Sequence, residues 1–537
     1  MEDIKMRKRK TLLLLLVSVA VLLSSCAGGT YVQKSPETVY DLTVLHTNDH
    51  HGHVLKFYDY PAPDNGGLPA RATYVKQVRQ EVPNVLVLDA GDVNTGMPES
   101  NFFNAEPDFI GYSYIGYDAM TLGNHEFDNP KEVLAAQMEE SNFPFLSANI
   151  KDANGKLIAT PYIIKEFDGF KVAIFGLTTK ETATIGNPQI VADLTFEDEV
   201  ETARALVPEL KKKADIVIAL VHMGIYDESK EGLGSRWLAR NVDGIDMIID
   251  GHSHTFLEKP IVENGAYIVS AKQWGLYVGR ADIKIQNMKI VDFSWEPVPI
   301  NLKTREKKAD GSSVFHYVDK EIPEDAQLLA ILTPYADKVE AALAEEIGTA
   351  ADVFPNEMVR QEETALGDLV ADSMKWYAEK MNLDVDFAIN NGGGIRETLP
   401  TGTITKKTIY QILPFDNSVY VITMKGSDLK GLFDYIPTVV GAGAYPQVSD
   451  GISFTIDLGT GKVKDLLIGG KPLDPNATYK IATNSYMATG GDGYVVFKNA
   501  SQGYDTSMFQ RDATIEYIQQ LDGAIVPEIA GRVKIIK

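Results

Sequence analysis

The most constraining feature of the chain is a repeated alternation of short apolar runs with amphipathic stretches, from Asp41 to about residue 300. Runs such as VLVLD, KVAIFGL and IVIALVH have the length and β-branched content of buried strands, whereas RATYVKQVRQEV has helical periodicity. Alternating strands and helices predict an α/β layered domain, in which binding sites collect beyond the carboxyl ends of the strands.

Polar clusters follow five of these runs, in the segments VLHTNDHH, VLDAGD, TLGNHE, ALVHMG and IIDGHSH. Eight of the nine histidines precede residue 255, and the clusters bring together His51, His125, His222, His252 and His254 with Asp49, Asp92 and Asn124. A single pair such as His252 and His254 is weak evidence, but all the clusters together indicate one convergent site. Imidazole with carboxylate is a ligand set for Zn, Mn, Fe or Co, so the sequence predicts a metal centre.

The first 25 residues have a different pattern. The basic stretch MRKRK precedes the mostly apolar Leu12 to Leu23, which is too short to cross a ~30 Å hydrocarbon core at 1.5 Å per residue. A basic segment, a short apolar segment and small residues predict a secretory signal rather than a transmembrane anchor. The LSSC sequence ending at Cys26 resembles a bacterial lipobox, which implies cleavage before Cys26 and lipid attachment there. The alternative is a chance cysteine within a signal peptide.

This pattern predicts an exported protein that is lipid-anchored to the bacterial cell envelope, with a signal peptide over 1–25 and a polar tether over 26–40. Cys26 is the only cysteine, so the predicted fold has no disulfide. The net charge of −23 disfavours nucleic acid as a partner and makes the lipid the expected contact with membrane. Binding an anionic substrate requires local positive charge, which metal ions can supply. Nothing in the sequence indicates an obligate protein partner.

Nine motifs together resemble those of a known family. In the first half they are D-x-H at 49–51, G-D at 91–92, G-N-H-E-x-D at 123–128, V-H at 221–222 and G-H-S-H at 251–254, as in calcineurin-like metallophosphoesterases. In the second half they are NGGGIR at 391–396, PFDN at 414–417, GAYPQ at 443–447 and ATGGDGY at 488–494. The second set narrows the resemblance to the bacterial and animal 5′-nucleotidases, which include periplasmic UDP-sugar hydrolases and ecto-5′-nucleotidases. It covers roughly residues 41–530.

The resemblance implies an α/β fold with two domains. A four-layer calcineurin-like metallophosphoesterase sandwich is expected over 41–322, and a smaller α+β nucleotide-binding domain over 351–537. Between them, residues 323–350 are expected to form a linker helix, since 325–349 also have a helical pattern.

The resemblance also implies two divalent metal ions (Zn, Mn, Co or Fe) and the residues around them. One ion would take Asp49, His51, Asp92 and His254, and the other Asp92, Asn124, His222 and His252. His125 would face the substrate phosphate, with Asp128 fixing its imidazole. Glu126 has no assigned role and is expected to be solvated or to lie behind the ligands. His46 and His53 match no ligand position and are interpreted as structural or surface residues, and His50 is the variable residue of D-x-H.

The second domain is expected to hold the nucleoside. The family pattern matches the following residues: Phe415 and Tyr486 for base stacking, Asp492 for the ribose hydroxyls, Asn391 and Arg396 for ribose or phosphate, Asn417 and Gly443 for the base pocket, and Arg360 for phosphate. The family more often has Phe at the position of Tyr486. The segment QEETALGD after Arg360 departs from the family pattern, so contacts there stay open.

The expected activity is metal-dependent hydrolysis of nucleotide phosphate esters, chiefly of nucleoside 5′-monophosphates to nucleoside and phosphate, by in-line attack of a water between two metals. An alternative within enzymes is a 2′,3′-cyclic-nucleotide phosphodiesterase and 3′-nucleotidase, or a UDP-sugar hydrolase. An alternative of another class is a nucleoside-binding lipoprotein, against which the intact ligand set argues. The sequence ranks neither the nucleotides nor the metals.

Overall fold

The structure of the chain is a computed structural model that describes residues 37–59, 62–185, 188–227, 231–308 and 312–537. The predicted signal peptide, Cys26 and most of the predicted tether lie outside the described residues. Within those ranges, no helix is both long enough and apolar enough to cross a membrane.

Two six-stranded sheets form the centre of the first domain. Their inner strands are apolar on both faces because each sheet is covered on both sides. The first sheet has the spatial order Lys289–Pro299, Tyr277–Gln286, Tyr40–Thr47, Val85–Asp89, Ala119–Thr121 and Phe145–Leu146. The second has the order Ile261–Glu263, Ala266–Val269, Met247–Asp250, Ile216–His222, Phe170–Thr178 and Tyr162–Phe167.

The sheets pack face to face, and helices cover their outer faces. Leu86 and Ile218 meet in the core between the sheets, whereas Val87 and Val217 point into the outer cores under the helices. The helices are Leu68–Glu81, Pro98–Asn101, Glu106–Ile115, Lys131–Glu140, Thr182–Ile185, Pro188–Val191, Glu199–Leu210 and Gly234–Asn241, with a 3₁₀ turn at His125–Phe127. Three short strand pairs join Phe57–Asp59 to Ala62–Asn65, Ile150–Lys151 to Thr195–Phe196, and Lys303–Lys307 to Ser313–Tyr317. This four-layer arrangement confirms the predicted fold class.

The second domain mixes sheets and helices. Its five-stranded sheet has the order Pro446–Val448, Phe387–Asn391, Thr478–Asn484, Ser418–Lys425 and Gln502–Phe509, and a four-stranded sheet has Lys471–Pro472, Lys462–Ile468, Ile452–Asp457 and Val533–Ile536. The α-helices are Ala365–Lys380, Lys406–Ile412, Gly426–Tyr435, Ser485–Ala488 and Gln510–Gln520, and the 3₁₀ turns are Gly392–Gly394, Ile436–Val439, Gly491–Gly493 and Val495–Asn499. A smaller α+β domain was the sequence prediction, and it is confirmed.

The helix between the domains is shorter than the sequence predicts. It spans Ala326–Leu343. Asp325 is its N-cap, and the Asp325 side chain accepts hydrogen bonds from two backbone N–H groups of the first turn. Leu328 packs into the first domain, whereas Ile347 packs into the second. The prediction of helix as far as residue 349 is wrong, because Glu346–Ala350 pairs as a strand with Gly402–Thr405 and those ladder bonds replace the helical ones.

Candidate metal centre and substrate site

The seven predicted metal ligands all lie at or just after the carboxyl end of a strand. Both sheets contribute, since their parallel strands end at the same edge of the sandwich. Asp49 and His51 follow Tyr40–Thr47, Asp92 follows Val85–Asp89, Asn124 follows Ala119–Thr121, His222 ends Ile216–His222, and His252 and His254 follow Met247–Asp250. The structure brings all seven side chains into one cluster at that edge.

Four of the seven side chains converge on a first point. The Nε2 atom of His51 lies 3.2 Å from the Nε2 atom of His254 and 3.8 Å from a carboxylate oxygen of Asp92. The Nε2 atom of His254 lies 3.5 Å from a carboxylate oxygen of Asp49. Donor atoms that bind one ion at ~2.0–2.2 Å lie within about 4 Å of each other, so this spacing fits one metal ion.

A second group shares Asp92 with the first. The Nε2 atom of His222 lies 3.0 Å from a carboxylate oxygen of Asp92 and 3.2 Å from the amide oxygen of Asn124. The Nδ1 atom of His252 lies 2.7 Å from that amide oxygen. The centre therefore has room for two ions with Asp92 between them.

The protonation of His51 and His254 also fits metal binding. Nδ1 of His51 donates to the carbonyl of Thr95 at 2.9 Å, and Nδ1 of His222 donates to the carbonyl of Ala90 at 2.7 Å, so Nε2 of each ring faces the cluster. Burial, assisted by the charge of Arg396, holds the pKa values of His51 and His254 well below their usual range. Neutral imidazole is the form that binds a cation, so His51 and His254 are ready to bind one. At His222 the carboxylates of Asp92 and Asp49 outweigh burial and raise the pKa to about 10, and a bound cation would take the place of that proton.

Backbone strain is concentrated at these ligands. Five of the seven have positive φ angles, which non-glycine residues seldom adopt: Asp49 at 52°, His51 at 48°, Asp92 at 59°, His252 at 75° and His254 at 50°. The ligands are also closely packed. A Cβ atom added to Gly123 would lie 2.2 Å from a carboxylate oxygen of Asp92, so only glycine fits there. Such conformations persist where the surrounding structure determines them and where function requires them.

Glu126 supplies part of that surrounding structure. Its side chain is 1% exposed, so the solvated alternative from the sequence is wrong. One carboxylate oxygen accepts from the N–H groups of Asp92 and Gly123, at 3.0 and 2.6 Å, and the other accepts from Val93 and Asn94, at 2.9 and 3.3 Å. The carboxylate joins the loop that carries Asp92 to the loop that carries Asn124.

Asp250 has the same role in the second sheet, and the sequence analysis missed it. Its Oδ1 atom accepts from the N–H groups of Met223, Gly224 and Gly251, at 2.9, 3.1 and 2.8 Å. It thereby joins the loop after His222 to the G-H-S-H loop. The sequence feature that could have identified Asp250 is its position as the last residue of an apolar strand, directly before the G-H-S-H motif.

His125 and Asp128 lie beside the metal cluster. The Nδ1 atom of His125 is 2.6 Å from Asp128, and its Nε2 atom faces Asp92 at 4.0 Å. Burial opposes a positive charge on His125, but the carboxylates of Asp128 and Asp92 outweigh it and raise the pKa of the imidazole. The arrangement can present an N–H donor to a phosphate held at the cluster.

The other three histidines of the first domain before His125 make contacts typical of structural residues. His46 is fully buried and accepts from the indole N–H of Trp295 at 3.0 Å. His50 is also fully buried, 3.2 Å from Asp108. His53 is stacked on Trp274 and lies 3.6 Å from Glu397 of the second domain.

The second domain reaches the metal cluster through Arg396 and Phe415. A guanidinium nitrogen of Arg396 lies 3.2 Å from Nε2 of His51, and the ring of Phe415 lies 5.8 Å from the ring of His125. Arg396 also lies over the ring of Phe415. Burial and the neighbouring charge of Arg396 lower the pKa of Arg360 to about 10. The two half-buried arginines thus concentrate positive charge beside the metal cluster.

Three of the other predicted substrate residues, Asn391, Tyr486 and Gly443, lie beside Asp492. Its carboxylate accepts from the side chains of Asn391 at 2.7 Å and Tyr486 at 2.9 Å. A Cβ atom on Gly443 would lie 4.0 Å from the same carboxylate. Asn417 is half-buried, two residues after Phe415 in the chain.

Replacing Glu126 with Gln should weaken metal binding. An amide has one acceptor oxygen, and its NH₂ group would face backbone N–H donors, so both ligand loops would loosen. Changes to groups that orient ligands typically cost about 10–100-fold in metal affinity. Titration of chelator-treated protein with Zn²⁺ or Mn²⁺ measures the effect. The control is Glu132→Gln on the nearby helix, where the side chain is exposed. Equal affinities in the two variants would contradict this role.

Comparison with known proteins agrees with this geometry. Residues 42–256 match the model for the calcineurin-like phosphoesterase family, and residues 346–499 match the model for the 5′-nucleotidase C-terminal domain. A 5′-nucleotidase of Vibrio cholerae serotype O1 is 38% identical in an alignment 548 positions long, which covers 95% of this chain and 96% of that protein. Protein UshA of Escherichia coli K12 is 36% identical in an alignment 542 positions long, which covers 94% of this chain and 96% of that protein.

A solved structure is similar over nearly the same length. The crystal structure of a 5′-nucleotidase precursor from Thermus thermophilus has a TM-score of 0.82 and 30% identity, and the match covers 93% of this chain and all of that one. The identity to the relatives extends over both domains, in agreement with the resemblance of the motifs. The chain therefore belongs to the 5′-nucleotidase family of metal-dependent phosphoesterases.

Proposed function

We propose that the chain hydrolyses nucleoside 5′-monophosphates to nucleoside and inorganic phosphate. The observation that carries the proposal is the meeting of the two domains, in which Arg396 lies 3.2 Å from the candidate metal ligand His51. That contact brings the second domain, which would bind the nucleoside, directly beside the candidate metal centre. The relatives from Vibrio cholerae and Thermus thermophilus are a 5′-nucleotidase and a 5′-nucleotidase precursor.

The metal assignment follows the two groups of donor atoms. One ion would be held by Asp49, His51, Asp92 and His254, and the other by Asp92, Asn124, His222 and His252. When bound, two divalent ions would lower the pKa of a water molecule and neutralise charge on the phosphate oxygens. The mixture of imidazole, carboxylate and amide donors suits Zn, Mn, Co or Fe.

His125 would act on the phosphate rather than on the nucleoside. Asp128 holds the Nδ1 side of the ring at 2.6 Å, which leaves Nε2 facing the space beside Asp92. An N–H donor fixed in that direction stabilises the charge that builds on the phosphate oxygens in the transition state. Arg360 and Arg396 would hold the phosphate from the side of the second domain.

The second domain would bind the nucleoside. Phe415 and Tyr486 would stack on the base, Asn417 and Gly443 would line its pocket, and Asn391 with Asp492 would bind the ribose. The formal charge of −23 makes the local arginines and the metal ions necessary for an anionic substrate.

A panel of phosphate esters tests the proposed function. Chelator-treated protein should release no phosphate, and added Mn²⁺, Zn²⁺ or Co²⁺ should restore release, because the centre supplies the reaction. Nucleoside 5′-monophosphates should have higher kcat/KM values than 2′,3′-cyclic nucleotides, 3′-nucleotides or UDP-glucose. Full activity in protein shown to be free of metal would contradict the mechanism, and preference for another ester would contradict the substrate class.

His125→Ala should lower kcat by ~10²–10⁴-fold, the usual contribution of a positioned acid–base or electrostatic group. The KM for the nucleotide should change little, because the ring faces the reacting phosphate. Steady-state kinetics with the best nucleotide measure both constants. The control is His316→Ala, on an exposed hairpin where His316 contacts Glu306. A change confined to KM would argue against this role.

We also infer that the chain is exported and held on the cell envelope by lipid at Cys26. The support is the LSSC sequence at the end of a short apolar segment. Cys26→Ser should release the protein into the soluble fraction of the producing bacterium, since lipid on Cys26 is the proposed anchor. Fractionation followed by immunoblotting measures this. A variant that is extracted only by detergent would show that another segment holds the protein on the membrane.

A further inference from the structure

Asp492 lies in a loop whose backbone is held in an unusual conformation. Its φ and ψ angles are 52° and 28°, in the left-handed region that non-glycine residues seldom occupy. The loop joins the helix Ser485–Ala488 to the rest of the second domain and is half-buried at Asp492. A strained residue of this kind points to a functional requirement at its side chain.

The hydroxyl of Tyr486 binds Asp492 twice. It accepts from the backbone N–H of Asp492 at 3.0 Å and donates to the Oδ1 atom of the carboxylate at 2.9 Å. The ring can come this close because residue 491 is glycine, and a Cβ atom there would lie 2.4 Å from Cε2 of Tyr486. One hydroxyl therefore fixes both the backbone and the side chain of Asp492.

Two further side chains complete the hold on Asp492. The hydroxyl of Tyr435 donates to its backbone carbonyl, and the amide of Asn391 donates to Oδ2 at 2.7 Å. The amide of Asn391 is itself oriented, because its oxygen accepts from Asn484 at 2.9 Å. Every polar group of Asp492 is thus bound by a side chain of the same domain.

The bound carboxylate still has capacity to accept hydrogen bonds. A carboxylate offers about four acceptor positions, and Tyr486 and Asn391 take one on each oxygen. Burial raises the pKa of Asp492, whereas the hydrogen bonds from Tyr486 and Asn391 oppose that rise and favour the ionised, acceptor-only form. Two hydroxyl groups on adjacent carbon atoms can each donate a hydrogen bond to one oxygen of this carboxylate.

We propose that the hydroxyl of Tyr486 is a positioning group that sets the direction of the Asp492 carboxylate and thereby makes hydrolysis depend on the free 2′- and 3′-hydroxyls of the ribose. This inference rests on the proposed function, in which Asp492 binds the sugar. It adds the group that orients the carboxylate, and it names the nucleotides that the site disfavours, which are those without free 2′- and 3′-hydroxyls. Tyr486 keeps its ring for the base, so the two roles belong to different atoms of one side chain.

The test is Tyr486→Phe, which keeps the ring and removes the hydroxyl. Three substrates are compared by kcat/KM: the best of the four common ribonucleoside 5′-monophosphates, its 2′,3′-dideoxy counterpart, and p-nitrophenyl phosphate. The parent should prefer the ribonucleotide over the dideoxynucleotide. In the variant the ribonucleotide value should fall by roughly tenfold, the scale of one hydrogen bond to a charged group, with the other two within about twofold. A merely structural tyrosine would lower all three values together.

Two further variants separate positioning from general damage. Tyr479→Phe removes a hydroxyl that accepts from the N–H of Asp474 at 2.9 Å, elsewhere in the domain, and should leave the ribose preference unchanged. Asp492→Asn should lower the preference, because an amide loses one acceptor oxygen, and asparagine tolerates the left-handed backbone. Adding Tyr486→Phe to Asp492→Asn should then cost little more, since the hydroxyl acts through the carboxylate.

Each outcome decides the inference. Equal kcat/KM values of the parent for the ribonucleotide and the dideoxynucleotide would overturn it whether or not any variant folds. An unchanged ratio in Tyr486→Phe, or fully additive losses in the double variant, would overturn it while leaving the proposed function intact. A metal-loaded parent that hydrolyses no nucleotide would overturn the proposed function and this inference with it.

Discussion

The structure depends on a single crowded edge where strands of two face-to-face sheets end together. Five of the seven candidate ligands there have left-handed backbones, at a cost of about 1–3 kcal/mol each. Glu126 and Asp250 offset part of that cost, since each binds backbone N–H groups of two ligand loops. Burial raises the pKa of Asp49 to about 7, so the cluster also holds a carboxylate that is poorly solvated. Divalent cations are the groups that would resolve this crowding of donor atoms.

The second domain would supply the positive charge that an anionic substrate needs. The chain as a whole is acidic, yet Arg360 and Arg396 are brought together at the boundary with the metal cluster, where burial lowers the pKa of each guanidinium. An anion placed between them relieves both their mutual repulsion and their poor solvation. Arg360 and Arg396 therefore supply local positive charge beside the metal cluster of an acidic chain, which suits a small anionic substrate.

The sequence predicts the parts of the site that depend on local pattern. Strands ending in polar clusters place Asp49, Asp92 and His222 at one edge because strand direction alone fixes that edge. It fails where long-range contacts decide the outcome. The sequence leaves Glu126 either solvated or behind the ligands, and only the four N–H groups around its carboxylate decide between the two. The hydrogen bond between Asn391 and Asp492 spans 101 positions of the chain. The linker helix stops at Leu343 because the next residues pair with a strand that lies more than 50 positions later.

The orientation of Asp492 bears on the alternative substrates of this family. A 2′,3′-cyclic phosphate has O2′ and O3′ esterified, so it has neither of the two adjacent hydroxyls that would donate to the carboxylate that Tyr486 and Asn391 hold in place. A 3′-nucleotide keeps only one of the two donors. The uridine of a UDP-sugar keeps both, so this contact does not separate it from a nucleoside 5′-monophosphate. Selection between those two must come from the space around Arg396 and the metal cluster, where a second phosphate and a sugar would have to fit. The proposed sugar contact would thus separate substrates by where the phosphate is attached, and the boundary between the domains would separate them by what else the phosphate carries.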